Sequence, residues 1–245
     1  TANSSIDPNG YTVTVSHGIN GAGSLSTTGA SGTVILNGNS TYPSTTVGVG
    51  NFVVNSVLAS NVTVNGTGAV LGGNGTINGS VTVNNGGVSP GIANTLTGNQ
   101  ASGFANLTIN GDLAMNVTAT TLVWHLDSSS AASDFLKIQG NLTTGSQSST
   151  IITFDFEHTG YFEGINPTTT YTLLTADSDL QTAGFTFEAL NAGPSDYTNS
   201  VSSFIFANGG TTLEFVLVPE PATWGLILGG AMLLLGFVRK RKRGV

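Results

Sequence analysis

The chain has 245 residues and a formal charge of −7, from 13 acidic and only 6 basic residues, and it contains no cysteine. An acidic body without clustered Lys and Arg argues against nucleic acid as a partner, and the missing cysteine excludes disulfides, thiol nucleophiles and thiolate-bound zinc. Gly, Asn, Ser, Thr, Val and Leu dominate, a mixture too apolar and β-branched for disorder and suited to short strands with many turns.

The chain opens on Thr1, and its first ten residues hold neither a basic nor an apolar leader region. Either a secretory signal has already been removed or the sequence begins late, and removal is the expectation. From Pro8 to Gly111 there is no Asp, Glu, Lys or Arg at all. Within that neutral stretch, Val62-Thr63-Val64-Asn65 recurs 19 residues later as Val81-Thr82-Val83-Asn84. Gly75-Thr76-Ile77-Asn78-Gly79 and Leu107-Thr108-Ile109-Asn110-Gly111 are variants of the unit. Each is a short alternation closed by Asn-Gly or Asn-Asn, so it reads as strand then turn. Such strands at a period near 20 predict the coils of a parallel β-helix. Val62 and Val64 would share one face, and Asn65 would stack on Asn84 along the axis. An antiparallel sandwich is the competing reading, because Asn-Gly also favours hairpins.

Residues 19–55 carry Gly21, Gly23, Leu25, Gly32, Val34, Leu36, Gly38, Asn39, Tyr42, Thr45, Val54 and Asn55 in an order that resembles the autotransporter-associated β-strand repeat. Pro43-Ser44 stands where that repeat has a glycine after its tyrosine. Ser-Pro-Gly at 89–91 and the Leu-Thr-Ile-Asn-Gly-Asp-Leu run at 107–113 continue the pattern across an expanded segment, so it spans roughly residues 19–145. The resemblance implies a secreted solenoid and says little about its role.

From Asp112 to Val218 the composition changes to eleven acids against Lys137, with longer and more aromatic strands. Residues 1–111 are therefore expected to form the β-helix repeats, and 112–218 a second β-rich region that caps or extends them. Here lie the candidates for chemistry. Asp155 and Glu157 alternate with Phe154 and Phe156, so they share a face roughly 6–7 Å apart, usable for glycosidic acid–base work. The simpler reading buries the phenylalanines and leaves both acids in water. Asp177 and Asp179 offer oxygen ligands for Ca²⁺ but lack an EF-hand frame, and an Asx turn explains them as well. His158 ends its strand, and His17 and His125 stand alone; all three read as ordinary polar residues. No cofactor motif is present. Asn-x-Ser/Thr sequons recur, for example at Asn39, Asn61, Asn74, Asn106 and Asn141, about as often as this composition produces by chance.

The last 27 residues differ from everything before them. Pro219-Glu220-Pro221 interrupts regular structure. Residues 222–238 then run 17 positions without a charge, enough for a helix of roughly 26 Å against a hydrocarbon core of ~30 Å. This predicts a single membrane anchor from Ala222 to Val238, with Trp224 at the outer interface. Arg239, Lys240, Arg241, Lys242 and Arg243 form a cytoplasmic stop that places the body outside. A buried core helix with a solvated basic tip is the competing reading. Gly225 and Gly229 have a GxxxG spacing that can pair helices, so self-association is open. The three parts in this order resemble the PEP-CTERM sorting signal of Gram-negative bacteria that make exopolysaccharide. The resemblance implies that an exosortase-type membrane protease recognises Pro219, Glu220 and Pro221.

The expected protein is all-β: a parallel solenoid, a β-rich cap and one transmembrane helix. It is non-enzymatic and exported, residing in the Gram-negative envelope with its body in the periplasm before reaching the surface or matrix. Its expected partners are the sorting protease, the bilayer and exopolysaccharide. A carbohydrate-binding adhesin is the alternative. A polysaccharide-degrading enzyme rests on fold analogy alone, and residues 8–111 supply no acid for it.

Overall fold

The computed structural model describes residues 2–91, 104–126, 132–158, 170–190 and 201–218. Within them the chain is all-β, without an α-helix. In chain order the strands are β1 (Ser4–Ile6), β2 (Thr12–Val15), β3 (Leu25–Thr27), β4 (Thr33–Leu36), β5 (Ser44–Val47), β6 (Asn51–Val54) and β7 (Val57–Leu58). There follow β8 (Asn61–Gly72), β9 (Thr76–Ile77), β10 (Val81–Val88), β11 (Asn106–Ile109), β12 (Leu113–Met115), β13 (Ala119–Leu126) and β14 (Phe135–Ile138). The last six are β15 (Leu142–Thr143), β16 (Thr150–His158), β17 (Thr170–Thr175), β18 (Phe185–Leu190), β19 (Val201–Ala207) and β20 (Thr212–Val218).

These strands stack in large parallel sheets, an arrangement consistent with a β-solenoid. One sheet runs β1-β3-β5-β8-β10-β12-β15, with β2, β4 and β6 stacked beside it and joined through β8. A second runs β7-β9-β11-β14-β17-β20-β19, and a third β13-β16-β18. The pairings between strands are parallel except at the end of the second sheet, where β20 joins β17 and β19 joins β20 antiparallel; an isolated antiparallel bridge also links Leu126 to Ser133. Both larger sheets pass residue 112 without a break, since β12 continues from β10 and β14 from β11.

The 19-residue spacing appears directly as register. Val62, Thr63 and Val64 lie beside Val81, Thr82 and Val83. The variant unit stacks in the other large sheet, Thr76 beside Thr108 and Ile77 beside Ile109. Asn65, however, aligns with Asn85, not Asn84, because the register shifts after Val83. The extra residue is a bulge where β10 turns its corner. Asn84 bonds onward instead, its Oδ1 accepting from Asn116 Nδ2 at 2.8 Å. β8 turns the same corner at Gly66, where a Cβ would sit 1.9 Å from the Gly48 carbonyl oxygen. Only glycine lets two coils stack that closely there.

The core is the inward half of each alternation. Val34, Phe52, Val54, Leu58, Val64 and Leu71 are completely buried in the first half, and Trp124, Phe154, Tyr171 and Phe215 in the second. Burial of each such side chain is worth roughly 1.5–3 kcal/mol. One inward column holds an exception: Thr45 sits between Leu25 and Val62. Its hydroxyl donates to Tyr42 Oη at 3.2 Å and lies 2.9 Å from Ser60 Oγ, so the buried polar atoms satisfy one another.

Candidate functional site

Asp155 lies on β16, between Val123 of β13 and Leu190 of β18. Phe154 and Phe156 on either side point into the core, at 0% and 1% exposure. That alternation sends Asp155 to the outer face, where it is half-buried. Glu157 takes the register position beside His125; its side chain and that of His158 lie outside the described residues. Asp179 shapes a local turn: its Oδ1 accepts from Gln181 N at 3.0 Å and its Oδ2 from Thr182 Oγ1 at 3.0 Å. Asp177 is tied through its backbone, N to the Gly140 carbonyl at 2.8 Å. Among the described residues no three His, Cys, Asp or Glu come together as a metal site. His17 is exposed beyond the end of β2.

His125 corrects its sequence reading as an isolated polar residue. It is only 7% exposed, and its Nδ1 lies 2.7 Å from Oδ2 of the fully buried Asp134. The same oxygen accepts from His125 N at 2.9 Å, and Oδ1 accepts from Ala105 N at 2.9 Å. The Asp134 carbonyl accepts from Trp124 Nε1 at 2.7 Å. Ser89 Oγ donates to the Val123 carbonyl close by. Gly91 packs over the pair, for a Cβ there would stand 2.2 Å from Asp134 Oδ2 and 2.5 Å from His125 Nδ1. Two residues nine positions apart on no shared period give no sequence signal. The one available hint was Trp124, whose indole N–H needs an acceptor once buried.

The outer surface is organised by side chains that bond one coil to the next. At one corner Asn55 Nδ2 donates to Asn37 Oδ1 at 3.1 Å, Asn74 N to Asn55 Oδ1 at 3.2 Å, and Asn106 N to Asn74 Oδ1 at 2.9 Å. At another, Ser80 N donates to Asn61 Oδ1 at 2.9 Å and Asn141 N to Asp112 Oδ1 at 2.8 Å. Asn39 Oδ1 likewise accepts from Val57 N at 3.1 Å. Among the sequon asparagines, Asn39, Asn61, Asn74, Asn106 and Asn141 are exposed, and the first three of these hold the next coil's backbone through Oδ1. Between these corners, Ser26, Thr46, Thr63, Thr82, Ala114 and Thr143 fall into one outward column by register. Adjacent members are spaced by the strand separation of about 4.8 Å.

A cleft of about 300 Å³ opens at the first coils, lined by Ile19, Leu25, Tyr42 and the segment 20–24. Its only titratable group is the phenol of Tyr42, which burial pushes above its ordinary value while the Thr45 hydrogen bond pulls the other way.

Among the described residues these features define an all-β body of large parallel sheets, and the sequence carries no Asp, Glu, Lys or Arg from Pro8 to Gly111. Neither a known protein-family profile nor a curated protein matches the chain. Among the described residues no helix is long and apolar enough to cross a membrane. The tripeptide Pro219, Glu220 and Pro221 expected to act in sorting, the anchor expected from Ala222 through Trp224 to Val238, and the basic run from Arg239 to Arg243 expected to stop it lie outside the described residues.

Proposed function

We propose that this chain is an exported, non-enzymatic surface or biofilm-matrix protein of a Gram-negative envelope. The body is a β-solenoid closed by the antiparallel β20 and β19. The anchor at 222–238 holds it at the inner membrane, and an exosortase-type protease processes it at Pro219-Glu220-Pro221. One observation carries this reading: the tripeptide, the 17 uncharged residues and the basic cluster occur in that order at the end of an otherwise acidic chain. The parallel stack supports it indirectly, since a long, uncharged, hydrogen-bonded surface suits a life among hydrated polysaccharide.

Intact-mass analysis of the native protein in membrane and extracellular fractions tests the proposal. An extracellular form ending near residues 219–221 is expected. A full-length species confined to the membrane fraction would sink the processing claim and leave a permanently anchored protein. A second reading, carbohydrate binding, is favoured by the outward column of Ser26, Thr46, Thr63, Thr82 and Thr143 hydroxyls. Glycan-array binding that weakens in a Thr46→Val, Thr63→Val double variant would select that reading over a purely structural role.

A further inference from the structure

The cleft at the first coils is about 300 Å³ in volume, at the small end of the range for ligand pockets. Its walls are fastened on two sides. On one, β1 pairs with β3, where Ser4 N donates to the Ser24 carbonyl at 2.9 Å and Ser24 N to Asn3 Oδ1 at 3.1 Å. On the other, Ile19 N donates to Ser40 Oγ at 3.0 Å and Gly21 N to the Thr41 carbonyl at 3.0 Å. Segment 20–24 is therefore held before any ligand arrives, and a preformed site avoids the entropy cost of ordering a loop.

One glycine of this wall has no role in the stacking. Gly18, Gly23, Gly32, Gly38 and Gly48 each admit the backbone of a neighbouring coil, because a Cβ there would stand 1.7 to 2.7 Å from it. Gly21 has an ordinary φ, and a Cβ on it would meet nothing within 4 Å. Neither conformation nor coil packing demands glycine there. What its bare backbone preserves is the open space of the cleft it lines.

We propose that this cleft binds one uncharged hexopyranose unit, presented as the end or a side branch of a neutral polysaccharide. No acid or base lines it. The nearest acid along the chain, Asp7, is committed to Asn9 N at 2.9 Å and Ala30 N at 3.2 Å. A charged ligand thus finds no counter-charge. The floor is apolar, from Ile19, Leu25 and Tyr42, while Ser4, Asn20 and Ser24 add polar groups. The Ser4 hydroxyl and the Asn20 amide enter no hydrogen bond among the described residues. Ser24 Oγ accepts from Ser44 Oγ at 2.8 Å, so its own O–H remains to donate. Hydroxyl and amide groups both donate and accept, as the hydroxyls of a sugar require, and the C–H face of a pyranose covers an apolar floor. A wholly apolar ligand would strip these groups of water and return no hydrogen bond. The site presupposes the polysaccharide surroundings of the proposed function, but neither the processing step nor the outward threonine column.

Saturation-transfer NMR and calorimetry test the site on the full chain in a sugar-free nonionic detergent, with methyl glucoside, methyl galactoside and methyl mannoside as probes. At least one of the three is expected to bind in the millimolar range, and glucuronate about tenfold or more weaker. Gly21→Phe should weaken binding about tenfold or more by filling the cleft, and Asn20→Ala by a smaller factor. The Thr46→Val, Thr63→Val double variant should bind as the unaltered chain does. Failure of all three probes to bind the folded, unaltered chain overturns the site, and so does binding undiminished in Gly21→Phe. Glucuronate binding as tightly as the neutral sugars overturns the assigned ligand class. Loss of binding in the threonine double variant moves the sugar to the outward column and overturns the cleft. Should Gly21→Phe fail to fold by circular dichroism, undiminished binding in Asn20→Ala overturns the site instead. Intact-mass analysis decides the processing step separately, so either can fail without the other.

Discussion

The first and second halves of this molecule continue the same sheets but fill them differently. Before residue 91, residues bonded between neighbouring coils are 18 to 23 apart, and apart from β8 and β10, which turn a corner, the strands are two to four residues long. After it the steps are 29 to 39, and β13 and β16 reach eight and nine residues. A longer coil encloses a wider cross-section, and interiors keep the same packing density whatever their width. Val and Leu with Ile77, Ala69 and two aromatics, Phe52 and Tyr42, fill the narrow coils. The wide ones need Trp124, Phe154, Phe156 and Phe215, with Trp124 set edge-on to Phe154 at 5.1 Å and Phe156 against Phe215 at 4.4 Å. The exteriors differ as well: uncharged asparagine and serine corners on one side, acids such as Asp155, Asp177 and Asp179 on the other. The width of a coil, set by its length, decides which side chains can be its core.

The contrast makes graded predictions. Phe154 meets Trp124, Phe156, Phe187 and Phe204, so Phe154→Ala opens a cavity at the centre of the wide coils. A loss of about 3–5 kcal/mol is expected in denaturant unfolding. Because each coil contacts mainly its neighbours, hydrogen exchange at Val62–Val64 should change far less than at β13 and β16. Equal loss in both halves would show that they unfold as one unit and break the comparison.

In the narrow half the corresponding weak point is polar. Thr45→Val keeps the volume but leaves Tyr42 Oη and Ser60 Oγ without their shared partner. It should cost about 1–3 kcal/mol, with the added exchange confined to the first coils. A loss below about 0.5 kcal/mol would mean that water reaches the site and replaces the hydroxyl.

The smallest effect is a pH dependence. Burial holds the Tyr42 phenol above its ordinary 10.0. A folded-state value raised above the unfolded one gives stability that is complete below the ordinary value and is lost as pH rises through the raised one. Alkaline unfolding followed by circular dichroism should therefore show a component that Tyr42→Phe removes. Identical alkaline profiles would place Tyr42 in contact with solvent and contradict its burial.

Much of the narrow half was legible in the sequence because its information is local and repeated. Val62 and Val81 stack as their 19-residue spacing predicts, and Thr76 and Ile77 meet Thr108 and Ile109. The alternation around Asp155 correctly buried Phe154 and Phe156. The Asx turn at Asp179 was legible for the same reason, since Gln181 and Thr182 lie within three residues of it. Asn84 against Asn85 was not, because a bulge moves the register by one residue without changing the composition of the strand.

The sequence by itself thus determined strand and turn, the period of the coils, the inward face of each alternation and the separate character of residues 219–245. All of these follow from residue types a few positions apart. Tertiary structure alone decided that His125 and Asp134 form a buried pair, that Thr45 is accepted in an apolar column by Tyr42 and Ser60, and that the last strands turn antiparallel. Those outcomes depend on which groups meet after coils of unequal length have stacked. A buried polar atom takes whatever partner the stack brings within about 3 Å, and the meeting leaves no period in the chain.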